Sequence, residues 1–140
     1  MSLPTQLALE IVTPERPLVR ETVDEVVLPA TEGELGVLPG HTPLLTTLKV
    51  GMLMYRQGEQ RHYLFVAHGF AEVLPDAVSV LAQLAERGED IDVARAEASR
   101  QLAEQRLATP GPDTDLEQAR VSASKASVRL LVASKARARA

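Results

Sequence analysis

The apolar positions of this 140-residue chain follow two different periods. Up to about residue 88 they come in short runs broken by turn residues. "LALEIV" alternates Leu7, Leu9 and Ile11 with less apolar neighbours until Pro14 stops it, the period-2 pattern of a half-buried strand. "VDEVVLPA" follows, then a Gly- and Pro-rich run from Gly33 to Pro43. "LKVGMLMYR" and "RHYLFVAHGFAEVL" flank Gln57-Gly58-Glu59-Gln60, a hairpin-like turn. "AVSVLAQLA" closes this half after a Pro75-Asp76 turn. Short strands at this spacing predict an all-β, antiparallel sandwich or barrel rather than βαβ units.

From Asp90 the period becomes helical. Ile91, Ala94, Ala98 and Leu102 form one stripe, and Val93, Ala96, Ala103 and Leu107 a second on roughly the opposite side. "ATPGP" at 108–112 breaks the helix, because Pro110 and Pro112 lack an N–H and Gly111 permits a turn. Asp113 or Asp115 then caps a second helix with the stripe Leu116, Ala119, Ala123, Ala126, Leu130 and Ala133. The pattern predicts a two-helix hairpin over 89–140 attached to a β domain over 1–88. Its first helix is expected to touch both its partner helix and the β domain. A buried Leu or Ile stabilises by about 1.5–3 kcal/mol and Ala offers a fraction of that area. An Ala-dominated hairpin is therefore expected to hold weakly and to leave the β domain without unfolding.

Charge adds an asymmetry. The net −4 combines residues 1–117, with all 19 acids against 9 bases (−10), and residues 118–140, with no acid. That last segment carries Arg120, Lys125, Arg129, Lys135, Arg137 and Arg139, a net +6. Such a segment seeks its own acidic body or an acidic partner. Nucleic acid fits poorly, since a −10 body repels phosphate and two Phe and two Tyr offer little stacking.

With 45% hydrophobic residues the chain can bury a core, and no stretch approaches the roughly 18 uncharged apolar residues of a membrane span. No secretory signal is visible in "MSLPTQLALEIV", so cytoplasmic residence is the expectation. The absence of cysteine excludes thiolate catalysis and Cys-zinc sites. His41, His62 and His68 form no metal-ligand spacing, and no nucleophile elbow, paired-carboxylate helix or phosphate-binding glycine loop is present. A non-catalytic protein with no metal and no required cofactor is expected.

The run "GELGVLPGHTPLLT" at 33–46 is the most distinctive. Its glycines and prolines suffice as turn formers, with Leu35, Val37 and Leu38 as packing residues. Together with "GFAEV" at 69–73, "VSVLA" at 78–82 and "IDVARA" at 91–96, it resembles the ε subunit of bacterial and chloroplast F-type ATP synthases, from about residue 7 to about 133. The resemblance implies a ten-stranded β-sandwich followed by the hairpin, in a subunit that performs no chemistry. It implies a peripheral place on the cytoplasmic face of the bacterial inner membrane. There the sandwich would bind the γ subunit and rest on the c-subunit ring, with Leu35, Gly36, Val37, Leu38, Pro39, Gly40 and His41 facing those rotor partners. It further implies a hairpin that either folds against the sandwich or extends toward the catalytic α and β subunits and restrains ATP hydrolysis. At His68 the family often has a glycine, so an ordinary φ is expected here. A rival reading is a free-standing ATP-sensing module of the same fold, which would not co-purify with γ. An adaptor or carbohydrate-binding sandwich leaves the hairpin unexplained.

"IDVARA" admits two readings. In the first, Asp90 or Asp92 caps the helix and Arg95 pairs with Asp92 for about 0.2–0.5 kcal/mol. In the second, it resembles the I/L-D-x-x-R-A motif of ATP-binding family members. That resemblance implies a regulatory ATP site at Ile91, Asp92, Arg95 and Ala96, with Glu86 from the sandwich and Lys125 and Arg129 from the second helix. Lys125 departs from the arginine usual there and cannot make a forked contact.

Overall fold

The computed structural model describes residues 3–138. Eight strands come first: β1 (Leu7–Val12), β2 (Pro17–Val23), β3 (Glu25–Ala30), β4 (Gly33–Val37), β5 (Leu44–Leu48), β6 (Gly51–Gln57), β7 (Gln60–Leu74) and β8 (Ala77–Arg87). A 3₁₀ turn, Gly88–Asp90, leads into helices α1 (Val93–Ala108) and α2 (Leu116–Ala138). The strands hydrogen-bond in the order β2-β1-β8-β7-β5-β3-β4, with β6 pairing both β3 and β7. Every pairing is antiparallel except β1 with β8, which is parallel.

Alternation builds the main core. Leu7, Leu9 and Ile11 of β1 point inward against Val19 and Val23 of β2, Val26 and Leu28 of β3, and Val78 and Val80 of β8. The hairpin contributes nothing to this cluster, so the sandwich closes its own core. The turn between β6 and β7 is tight, with Gly58 at φ 62° and its N–H held by the Asp24 carboxylate.

Eight strands stand where ten were expected. β7 and β8 run for 15 and 11 residues and pass through a step at which pairing lapses, His68 and Gln83, without ending. The expectation of an ordinary φ at His68 is also wrong. His68 lies at φ 62° and Gly69 at φ 122°, a left-handed pair that lets the long strand bend. The side chain is tolerated because it points to solvent and meets no packing constraint.

A second, smaller cluster joins the two parts: Phe65, Ala67, Ile91, Val132 and Ala133, with Val50, Met52, Tyr63 and Val128 against it. The docking helix is α2, which packs on β6, β7 and the 3₁₀ turn, while α1 packs chiefly on α2. The expected contact of α1 with the sandwich is thus minor, confined to the cleft its first turns share with the end of β8. Its second stripe is buried at Ala96 and Ala103, whereas Ala94, Ala98 and Leu102 face solvent. On α2, Ala119, Ala126 and Ala133 are buried as expected and Leu116 is exposed. Arg139 of the basic segment lies outside the described residues.

Candidate functional site

The two helices begin on carboxylate caps. Asp92, in extended conformation, accepts the backbone N–H of Arg95 at 3.0 Å, satisfying one of the donors a helix start leaves free. Asp115 accepts that of Gln118 at 3.0 Å. The expected ion pair between Asp92 and the Arg95 guanidinium is not formed, because the carboxylate turns into the helix end. The ion pairs within α1 instead join Arg100 to Glu97 and to Glu104.

Beside the α1 start opens a cleft of about 700 Å³ where the sandwich meets the hairpin. Glu86 comes from the end of β8, Asp92, Arg95 and Ala96 from the α1 start, and Arg129 from α2. Glu86 and Arg129 are already engaged, with Arg129 Nε 2.5 Å from Glu86 Oε1. The same guanidinium lies over the Phe65 ring, 4.3 Å from its centroid. One side chain therefore ties α2 to the sandwich through both a charge and an aromatic face.

Five of the seven residues expected to meet a nucleotide thus line one cleft. Ile91 is buried in the joining cluster, where its role is packing. Lys125 sits one turn before Arg129 on α2 and does not line the cleft. The fourth wall, Thr13, Glu15 and Arg16 of the β1–β2 turn with Leu18 of β2, is not apparent from the sequence. No local signal marks a turn that reaches its partners only through the sheet order. Among the described residues no group of three or more metal-ligating side chains forms.

The glycine-rich run is divided by the fold. Val37 is fully buried and Leu35 packs on the main core, so both serve β4 itself. Gly36 pairs with Val27 as an ordinary strand residue. Leu38, expected to pack, is 55% exposed, and Pro39, Gly40 and His41 follow it in the loop. That loop is anchored by Gly40 N–H to the Pro75 carbonyl at 2.7 Å, with Gly40 at φ 88°. His41 Nδ1 lies 2.7 Å from the Thr42 carbonyl oxygen, so this nitrogen carries its proton as a local donor.

Residues 6–88 match the family model described as the ATP synthase delta/epsilon chain beta-sandwich domain, and residues 89–134 match the long alpha-helix domain of the same chain. The chain belongs to the ATP synthase epsilon chain family. It is 48% identical over 130 residues to the ATP synthase epsilon chain of Syntrophobacter fumaroxidans, covering 93% of this chain and 97% of that one. To the epsilon chain of Solibacter usitatus it is 46% identical over 133 residues, 95% and 99% of the two chains. Its fold is similar to that of a chain in the Euglena gracilis mitochondrial ATP synthase structure containing OSCP, F1 and the c-ring. There the TM-score is 0.81 at 23% identity, covering 96% of this chain and 84% of that one. As an epsilon chain it is a non-catalytic subunit of the ATP synthase complex.

Proposed function

We propose that this epsilon chain works as a rotor component with a detachable brake. The sandwich would bind γ and rest on the c-ring, and the hairpin would restrain ATP hydrolysis when it leaves the sandwich for the catalytic α and β subunits. The observation that carries this reading is the separation of the two apolar clusters: the sandwich core is complete without the hairpin, and the joining cluster is small. Undocking α2 costs that cluster and the Arg129 contacts while leaving the main core intact.

The exposed surface supports a division of partners. Phe70 and Leu81 pair across β7 and β8 and are both exposed, with Leu45 nearby on β5. A strip of this kind on the outer sheet face suits a permanent apolar contact such as γ. The Leu38–His41 loop would meet the c-ring, on the cytoplasmic face of the bacterial membrane as a peripheral protein. No described helix is long and apolar enough to cross a membrane. The basic face of α2 suits an acidic surface on the catalytic subunits.

The cleft between sandwich and hairpin would take regulatory ATP, with its phosphates toward arginines and the folded hairpin favoured because both parts form the walls. A ligand shifts such an equilibrium only by its preference for one state. Purification of the native complex through a tag on this chain tests the reading. Recovery of γ and c-ring is expected, and isolation of the chain alone would leave a free-standing ATP sensor instead.

A further inference from the structure

We infer that Arg16, on the turn between β1 and β2, is a phosphate-binding arm of the cleft and takes the place expected of Lys125. The inference rests on the regulatory-ATP reading above and adds a residue to it.

The turn is stiff where it needs to be. Thr13 N–H donates to the Arg16 carbonyl at 3.0 Å, the Thr13 hydroxyl donates to the same carbonyl at 3.2 Å, and Arg16 N–H donates to the Thr13 oxygen at 3.3 Å. Both backbone groups of Arg16 are thereby fixed, and the residue lines the cleft together with Arg95 of α1 and Arg129 of α2. Neither Arg16 nor Arg95 has an ion pair among the described residues, whereas Arg129 spends its charge on Glu86. Of the cleft carboxylates, Asp92 caps α1 and Glu86 holds Arg129, which leaves Glu15 and Asp90 lining the same cleft as the two unpaired arginines. A ligand with several anionic oxygens at one end and hydroxyls at the other matches that distribution. The arginines take the phosphates and the free carboxylates accept from ribose hydroxyls.

The placement has a mechanical consequence. Arg16 and Glu86 belong to the sandwich, Arg95 to α1 and Arg129 to α2. A triphosphate spanning Arg16 and Arg95 closes a bridge across the gap between the two parts, a bridge that an extended hairpin cannot form. With Lys125 in that role the phosphates would contact the hairpin alone, tied to the sandwich only through the Arg129–Glu86 pair.

Calorimetric titration of the full chain with ATP tests this. Arg16→Ala should weaken binding about tenfold with an unchanged melting temperature in the absence of ATP, and Arg16→Lys should recover part of the loss. Arg20→Ala, outside the cleft and beside Glu10, should stay within about twofold. Wild-type affinity in Arg16→Ala together with lost binding in Arg95→Ala overturns the role of Arg16 and leaves the ATP site standing. An equal loss in Arg20→Ala reduces the effect to net charge and also overturns it. No heat from the wild type at millimolar ATP overturns both readings.

Discussion

Gly88 lies against Ala136. A β-carbon added to Gly88 would sit 2.6 Å from that of Ala136, 3.0 Å from the Tyr63 carbonyl oxygen and 3.2 Å from that of Val132. The residue is not among the glycines with positive φ, so what requires glycine here is room for α2 and not backbone freedom. Gly88→Ala should cost about 1–3 kcal/mol by overpacking, and the cost should fall on docking. Hydrogen exchange is expected to speed up in α2 and at Phe65 while Leu9, Ile11 and Val80 stay protected. Uniform loss of protection across the sandwich would show that the hairpin and sandwich are one cooperative unit.

Arg129 is the polar half of the same joint. Its pair with Glu86 is partly exposed and worth about 0.2–1 kcal/mol, and its position over Phe65 adds about 0.5–1 kcal/mol. Arg129→Ala should therefore loosen docking by about 1–2 kcal/mol. Arg129→Lys should restore little, because an ammonium lacks the flat guanidinium that lies over Phe65 while its Nε reaches Glu86. High salt should weaken docking in the wild type more than in Arg129→Ala, since partly exposed charges are screened within about 10 Å at 0.1 M. Equal salt dependence in the two proteins argues against an ionic latch.

The left-handed pair at the bend of β7 predicts opposite outcomes at neighbouring positions. His68 is exposed at φ 62°, so His68→Gly should be neutral or stabilise by up to about 1 kcal/mol. At Gly69, φ 122°, a β-carbon would collide with the Leu81 carbonyl oxygen, so Gly69→Ala should prevent normal strand pairing. Thermal melts of both variants check this, and a Gly69→Ala protein as stable as wild type would contradict it.

Those two residues also show where the sequence stopped being legible. Local signals are legible: the 108–112 breaker ends α1 at Ala108, and Asp92 and Asp115 cap the helices. The bend at His68 is not, because a side chain in left-handed conformation leaves no mark when solvent accommodates it. On α2 the stripe residue Ala133 joins the docking cluster, but Val128, Val132 and Ala136, which also pack toward the sandwich, lie off that stripe. Periodicity identifies apolar faces but does not say which neighbour covers them. In the cleft, the α1 and α2 residues came from one motif and its partners, whereas Arg16 enters only through the placement of β1 and β2.

Acid should weaken the hold of Asp24 on the β6–β7 turn. The Gly58 backbone N–H, the Gln6 amide and Arg56 hold the Asp24 carboxyl below its ordinary value of 3.8. A carboxylate lowered in the folded state contributes stability above its unfolded value, and that contribution is lost as pH falls through the lowered one. Asp24→Asn should thus be less stable than wild type at neutral pH and approach it below about pH 4. Urea midpoints measured from pH 7 to pH 2 check this, and a constant gap between the two proteins would contradict it.

We propose the hairpin as a detachable brake on an independently folded sandwich. Truncation to residues 1–88 uncovers Phe65 and Met52 but removes nothing from the main core, so the shortened chain should fold and bind γ. The direct measurement is ATP hydrolysis by the complex assembled with residues 1–88 against the complex assembled with the full chain. A severalfold rise in hydrolysis, with proton-driven synthesis retained, is the predicted result. Unchanged hydrolysis by a complex that contains the folded, truncated chain would contradict the claim.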